Sequence, residues 1–215
     1  MTAQPKPWLD EARQAQGFAP QSLFEALEPA PIEGLYYRAG YITPAEERAL
    51  VAHADLQPWS LELQRRRQWY GWAYDDTPLG QGDEYPPQPM PDWLNPLAQR
   101  LHHEGWFPGA PDRALINEYF PGQGIGAHRD RDSERIQTVA IVSLGGGVMM
   151  DFTRLGHATR SYYLQPRSLV IMRGEARHRW LHGIVGRKSD RVGGLLLPRT
   201  RRLSVTFRYV ESRQP

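Results

Sequence analysis

Three residues of this chain could share one metal ion. In Gly126-Ala127-His128-Arg129-Asp130 an imidazole and a carboxylate stand two positions apart, and on a strand such residues project to the same side. A second imidazole, His182 in Trp180-Leu181-His182-Gly183-Ile184, follows 54 positions after His128. Two His and one carboxylate form the facial triad of non-haem iron(II) oxygenases, which leaves coordination positions open for a cosubstrate and O2. The chain has 7 His and no Cys, so disulfides and thiolate ligands are excluded and a metal must be held by His, Asp or Glu. His53, His102 and His103 fall in helical patterns and His157 in a loop. His178 is a rival to His182 that spacing alone does not separate.

A second pattern points to an anion beside that metal. In the run 201–210, RRLSVTFRYV, Leu203, Val205, Phe207 and Tyr209 face one way and Arg202, Ser204, Thr206 and Arg208 the other. Taken alone, this is an edge strand with one wet face. In Leu115-Ile116-Asn117-Glu118-Tyr119, however, Leu115, Asn117 and Tyr119 also share a face. If both faces turn inward, a cavity would hold two guanidinium groups, an amide and a phenol. Buried Arg needs a partner, and guanidinium grips carboxylate through two parallel hydrogen bonds. A small dicarboxylate suits that cavity.

The elements that must position these groups follow from local patterns. Residues 1–31 are Pro-rich (Pro5, Pro7, Pro20, Pro29, Pro31) and read as a weakly ordered arm before a single domain over 32–215. A short strand is expected at Leu35-Tyr36-Tyr37. Thr43-Pro44-Ala45-Glu46 carries a capping box with Pro at the first helical position, opening a helix to about His53. A second helix is expected over 92–104. Beyond Arg113 short β-rich runs follow at 113–120, 136–143, 148–154, 161–164, 168–172 and 201–210, punctuated by Gly and Pro. The fold class is therefore mainly β (α+β), a sandwich or jelly roll with the N-terminal helices packed outside it.

Bulk properties bound the rest. The chain has 215 residues, a mean hydropathy of −0.61 and no apolar run near the length that crosses a bilayer. Its N-terminus shows no signal pattern, so a soluble, cytoplasmic and monomeric protein is expected. Net charge is only +2, but arginines cluster at 65–67, at 129 and 131, and at 199, 201 and 202. Such clusters are compatible either with solvated surface or with attraction of phosphate.

The passages NEYFPGQGIGAHRDRD (117–132), VSLGGGVMMDF (142–152), SLVIMRGEARHRWLHGI (168–184) and RRLSVTFRYV (201–210) together resemble the AlkB family of iron(II)/2-oxoglutarate dioxygenases. The resemblance covers roughly residues 32–210. It implies His128, Asp130 and His182 as iron ligands, selecting His182 over His178 because it precedes the family's Gly-Ile. It also implies Asn117, Tyr119, Arg202, Ser204 and Arg208 around 2-oxoglutarate, with Ser204 standing where relatives often have Asn. The implied fold is a double-stranded β-helix (jelly-roll core about 113–210) with a nucleotide-recognition lid at about 60–90. With Fe(II), 2-oxoglutarate and O2, the implied activity is oxidative demethylation of alkylated DNA or RNA bases, releasing formaldehyde, succinate and CO2. Asp132 is expected near the base, Trp72 and Tyr74 to stack on it, and Arg66 to meet the backbone. Modification of tRNA or protein on the same fold is the alternative, and a non-catalytic nucleic-acid-binding module a further one.

Overall fold

The structure is a computed structural model that describes residues 31–61, 63, 65–71, 89–130 and 136–210. Residues 1–30 of the expected arm over 1–31, most of the lid, and Trp72, Tyr74 and Asp132 lie outside the described residues.

Two antiparallel sheets face each other. The larger has the order β1-β8-β5-β12-β3-β2, with β1 Leu35–Arg38, β2 Arg67–Gly71, β3 Arg113–Tyr119, β5 Thr138–Gly145, β8 Leu169–Arg173 and β12 Arg202–Arg208. The smaller has the order β4-β9-β6-β7, with β4 Ile125–His128, β6 Val148–Thr153, β7 Arg160–Leu164 and β9 Leu181–Ile184. A hairpin, β10 Ser189–Val192 and β11 Leu195–Pro198, joins β9 to β12. This is the jelly roll. Among the described residues no helix is long and apolar enough to cross a membrane.

Two apolar clusters hold the layers. Helices α1 (Pro44–Asp55) and α2 (Asn95–His103) bury Leu50, Ala54, Leu97, Ala98 and Leu101 against Ile116, Val142, Leu144, Val205 and Phe207 on the outer face of the larger sheet. The capping box closes as expected: Glu46 N–H donates to Thr43 Oγ1 (3.2 Å), and Thr43 N–H to Glu46 Oε2 (2.7 Å). The second cluster, with Val139, Ile141, Val170, Met150, Phe152 and Ile184, fills the space between the sheets. A short helix α3 (Gly174–His178) leads from β8 into β9.

β12 is central, flanked by β3 and β5, and all seven of its residues are buried. The edge-strand reading of its polar face therefore fails. Its apolar face meets the helices, and its polar face lines the space between the sheets. The register pairs Arg202 with Tyr119, Ser204 with Asn117 and Arg208 with Arg113, so the polar faces of β3 and β12 form one strip.

Candidate active site

His128 ends β4 and His182 lies in β9, paired in register across the two strands, with ring centroids 4.5 Å apart. Gly183 lets the strands approach: a Cβ there would stand 2.9 Å from Ala127 N and 3.0 Å from its Cα. Asp130 does not share the strand, as the His-x-Asp spacing suggested; it lies two residues past the end of β4. Tertiary contacts bring it in. Buried Arg177 donates from Nη1 to the Asp130 carbonyl (3.0 Å), and Arg208 Nη2 stands 3.0 Å from Asp130 Oδ2.

The result is a compact donor set. His128 Nε2 is 3.7 Å and His182 Nε2 is 3.9 Å from Asp130 Oδ1, and one ligand atom from each residue lies within 4.8 Å of the others. Among the described residues this is the one such group of three, and it contains His182 rather than His178. His128 Nδ1–H donates to the Gly126 carbonyl (2.8 Å), leaving the Nε2 lone pair for a metal. Burial pushes the His182 imidazole down to about 4, against the pull of Asp130, so it is neutral at pH 7. Burial would raise the Asp130 carboxyl, but Arg208, His182 and Arg177 outweigh it and hold it at about 2. Two imidazoles, of which His182 is neutral, and an ionised carboxylate suit a divalent transition metal. Half-exposed His128 leaves one side of the group open.

The strip beside it fits a carboxylate. Arg202 is buried, donates from Nη2 to Ser143 Oγ (2.9 Å) and stacks over the Tyr119 ring (5.5 Å). Among the described residues its Nε and Nη1 have no hydrogen-bond partner. Desolvation lowers its guanidinium to about 10, still charged at pH 7. A buried guanidinium without a counter-ion is costly, and the N–H groups left at Nε and Nη1, on the two edges of the guanidinium, are donors that a carboxylate oxygen would satisfy. Burial raises the Tyr119 phenol, which remains protonated and is hydrogen-bonded with Ser204. Asn117 Oδ1 accepts from Arg65 Nε (3.2 Å).

Sequence reasoning missed four neighbours of this site: Ser143, Arg65, Arg177 and Trp69. Ser143 was legible as the one hydroxyl on the inward face of β5, alternating with Val139 and Ile141. Trp69, 41 % exposed, pairs with Leu115 on the pocket face of β2, and Arg67 lies over its ring at 5.4 Å. Arg65 and Arg177 carried no local signal. Arg66 is not drawn toward the metal group; it grips Glu118 with Nε and Nη2 on the opposite face of β3. Two arginines of the 199–202 cluster are spent internally in the same way, Arg199 on Asp190 and Arg201 on Glu118 and Asp55.

Comparison with known proteins agrees with this geometry. A family model described as the 2OG-Fe(II) oxygenase superfamily matches residues 34–208. The protein L905 of Acanthamoeba polyphaga mimivirus is 33% identical, over 79% of this chain and 81% of its own. The mouse tRNA (carboxymethyluridine(34)-5-O)-methyltransferase ALKBH8 is 32% identical over 86% of this chain, which spans only 31% of that protein. In fold, the solved structure of OsALKBH1 superposes with a TM-score of 0.60 over 84% of this chain and all of its own, at 17% identity. The three-residue donor set, the buried Arg202 guanidinium and these matches converge: the chain belongs to the AlkB family of 2OG-Fe(II) oxygenases and is a 2-oxoglutarate-dependent dioxygenase.

Proposed function

We propose that the protein oxidises an alkyl group on a nucleic-acid base and thereby demethylates it. In this reading His128, Asp130 and His182 hold iron(II), while Asn117, Tyr119, Arg202, Ser204 and Arg208 receive 2-oxoglutarate. Bound iron, with 2-oxoglutarate and O2, supplies an oxidant able to take hydrogen from an N-methyl group, with release of succinate and CO2. The hydroxymethyl product then collapses to formaldehyde and the free base.

The protein's own part is binding, orientation and exclusion of water. Arg202 would fix the far carboxylate through an N–H left without a partner at Nε or Nη1. Arg208 keeps Asp130 ionised and aimed. The Gly126 carbonyl fixes the His128 tautomer. The observation that carries the substrate reading is Trp69, a half-exposed aromatic ring with Arg67 against it on the pocket face of β2. A flat ring beside a guanidinium is what a single unstacked base needs.

The similarity over most of this chain to mouse ALKBH8, named as a tRNA (carboxymethyluridine(34)-5-O)-methyltransferase, favours a second reading in which the substrate is a tRNA base. For a dioxygenase that would be hydroxylation without loss of a methyl group. The two are separated by loading the protein with Fe(II) and 2-oxoglutarate without oxygen, then admitting O2 with methylated DNA, methylated RNA, tRNA and methylated peptides. Demethylation gives formaldehyde and a substrate lighter by one CH2; hydroxylation gives a tRNA heavier by one oxygen. Turnover of peptides alone would sink both.

A further inference from the structure

Glu118 sits between two residues of the cosubstrate pocket, Asn117 and Tyr119, yet its side chain points to the other face of β3. It is fully buried. A lone buried carboxylate on the apolar, helix-facing side of a sheet is costly, and two guanidiniums hold it. Arg66 grips it with Nε and Nη2 (the latter 2.9 Å), and Arg201 donates from Nε (2.7 Å). Its own N–H donates to the Arg66 carbonyl (3.0 Å). Burial would raise the Glu118 carboxyl, but these two guanidiniums outweigh it and keep it ionised.

The partners belong to the elements that build the pocket. Arg201 is the chain neighbour of Arg202, which opens β12 opposite Tyr119. Arg201 also donates from Nη1 to Asp55 at the end of α1 (2.9 Å). Arg66 immediately precedes β2, lies over the Trp59 ring at 4.9 Å, and is flanked by Arg65 on Asn117 and by Arg67 opposite Asn117 in register. One carboxylate thus clasps the start of β12 and the start of β2 onto β3, at the level where Arg202, Tyr119 and Asn117 face inward. Removing its charge would leave Arg66 and Arg201 repelling each other across that seam.

We infer that Glu118 is a positioning residue for 2-oxoglutarate that couples cosubstrate binding to the anchoring of β2. This rests on the cosubstrate pocket described above. The Arg202 guanidinium can meet a carboxylate only if the β3–β12 seam is held in register, and Glu118 holds it from behind. By linkage, a cosubstrate that tightens the seam must tighten the Arg66 attachment as well. β2, with Trp69 on its pocket face, would therefore be better fixed once 2-oxoglutarate is bound.

The test uses the full chain loaded with Mn(II) in place of iron, titrated with 2-oxoglutarate in the absence of oxygen, with amide hydrogen exchange measured with and without it. In the wild type, 2-oxoglutarate slows exchange in both β12 and β2. Glu118→Gln weakens 2-oxoglutarate binding by about tenfold and abolishes the slowing in β2. Arg66→Ala, at a half-exposed side chain that leaves Glu118 paired with Arg201, retains the slowing in β12 and loses it in β2. A 2-oxoglutarate affinity within about threefold of wild type in folded Glu118→Gln, or full protection of β2 in Arg66→Ala, overturns the inference. Should Glu118→Gln not fold, Arg66→Ala decides it. A wild-type chain that binds no 2-oxoglutarate overturns the cosubstrate assignment itself, a result distinct from either variant's.

Discussion

Arg202 and His182 are polar groups buried at a cost in stability, and each leaves a measurable trace. Arg202 is buried, and two of its nitrogens have no partner among the described residues. Replacing it with Met, of similar length and no charge, should leave the melting temperature unchanged or higher. The same change should weaken 2-oxoglutarate on the order of 100-fold, since a charge-assisted hydrogen bond is lost. Calorimetry with a binding titration checks both, and a variant that binds 2-oxoglutarate normally would remove Arg202 from the pocket. For His182 the sign follows from its depressed value. The unfolded imidazole takes up its proton near 6.5, the folded one only near 4. Between those values the unfolded state binds more protons, so the metal-free protein loses stability as pH falls through that window. His182→Gln should flatten this slope in thermal melts of metal-free protein between pH 6.5 and 4.5. Equal slopes would contradict the burial argument.

At the scale of elements, the metal group depends on how closely β4 and β9 approach. Two of its ligands face each other across this pair, and the register shifts between Ile125 and His128. Gly183 permits the approach beside the ligands, as Gly124 does at the other end of the pair, because a Cβ at 183 would press on Ala127 N, on Ala127 Cα and on the Ile125 carbonyl at 3.1 Å. Gly183→Ala should therefore move His128 away from His182 and lower Fe(II) affinity by about tenfold, with helix content unchanged. Metal titration followed by far-ultraviolet circular dichroism tests this. Undiminished affinity would show that β4 can yield without moving its ligand. Gly-Ile after the distal His is thus a packing requirement as much as a signature.

For the whole molecule, a buried ion pair ties the connection between the two sheets. Asp190, 1 % exposed, accepts from Arg199 Nε and Nη2 (2.7 and 2.8 Å), from Arg187 and from Met149 N–H. Arg199 also donates to the Val185 carbonyl (2.8 Å). These bonds pin the β10–β11 hairpin to the start of β6 and the end of β9, just before the chain turns into β12. Asp190→Asn leaves two guanidiniums facing a neutral amide and should cost roughly 3–5 kcal/mol, on the order of 10 °C in melting temperature. A change of only a degree or two by calorimetry would mean that the arginines find carbonyl partners elsewhere.

Local chemistry was enough to determine the capping box of α1, six of the strands beyond Arg113 but not β4, β9, β10 or β11, the polar faces of β3 and β12, and the His-x-Asp pair at 128 and 130. Each is written in residues a few positions apart, where helix and strand periodicities apply directly. Tertiary structure decided what those patterns were for. It placed β12 at the centre of a sheet rather than at its edge. It brought Asp130 to the metal group from beyond β4, by way of Arg177 and Arg208. It turned Arg66, Arg199 and Arg201 inward onto carboxylates 52, 9 and 83 positions away. No periodicity reports such pairs, because a buried charge finds its partner through the packing of whole elements.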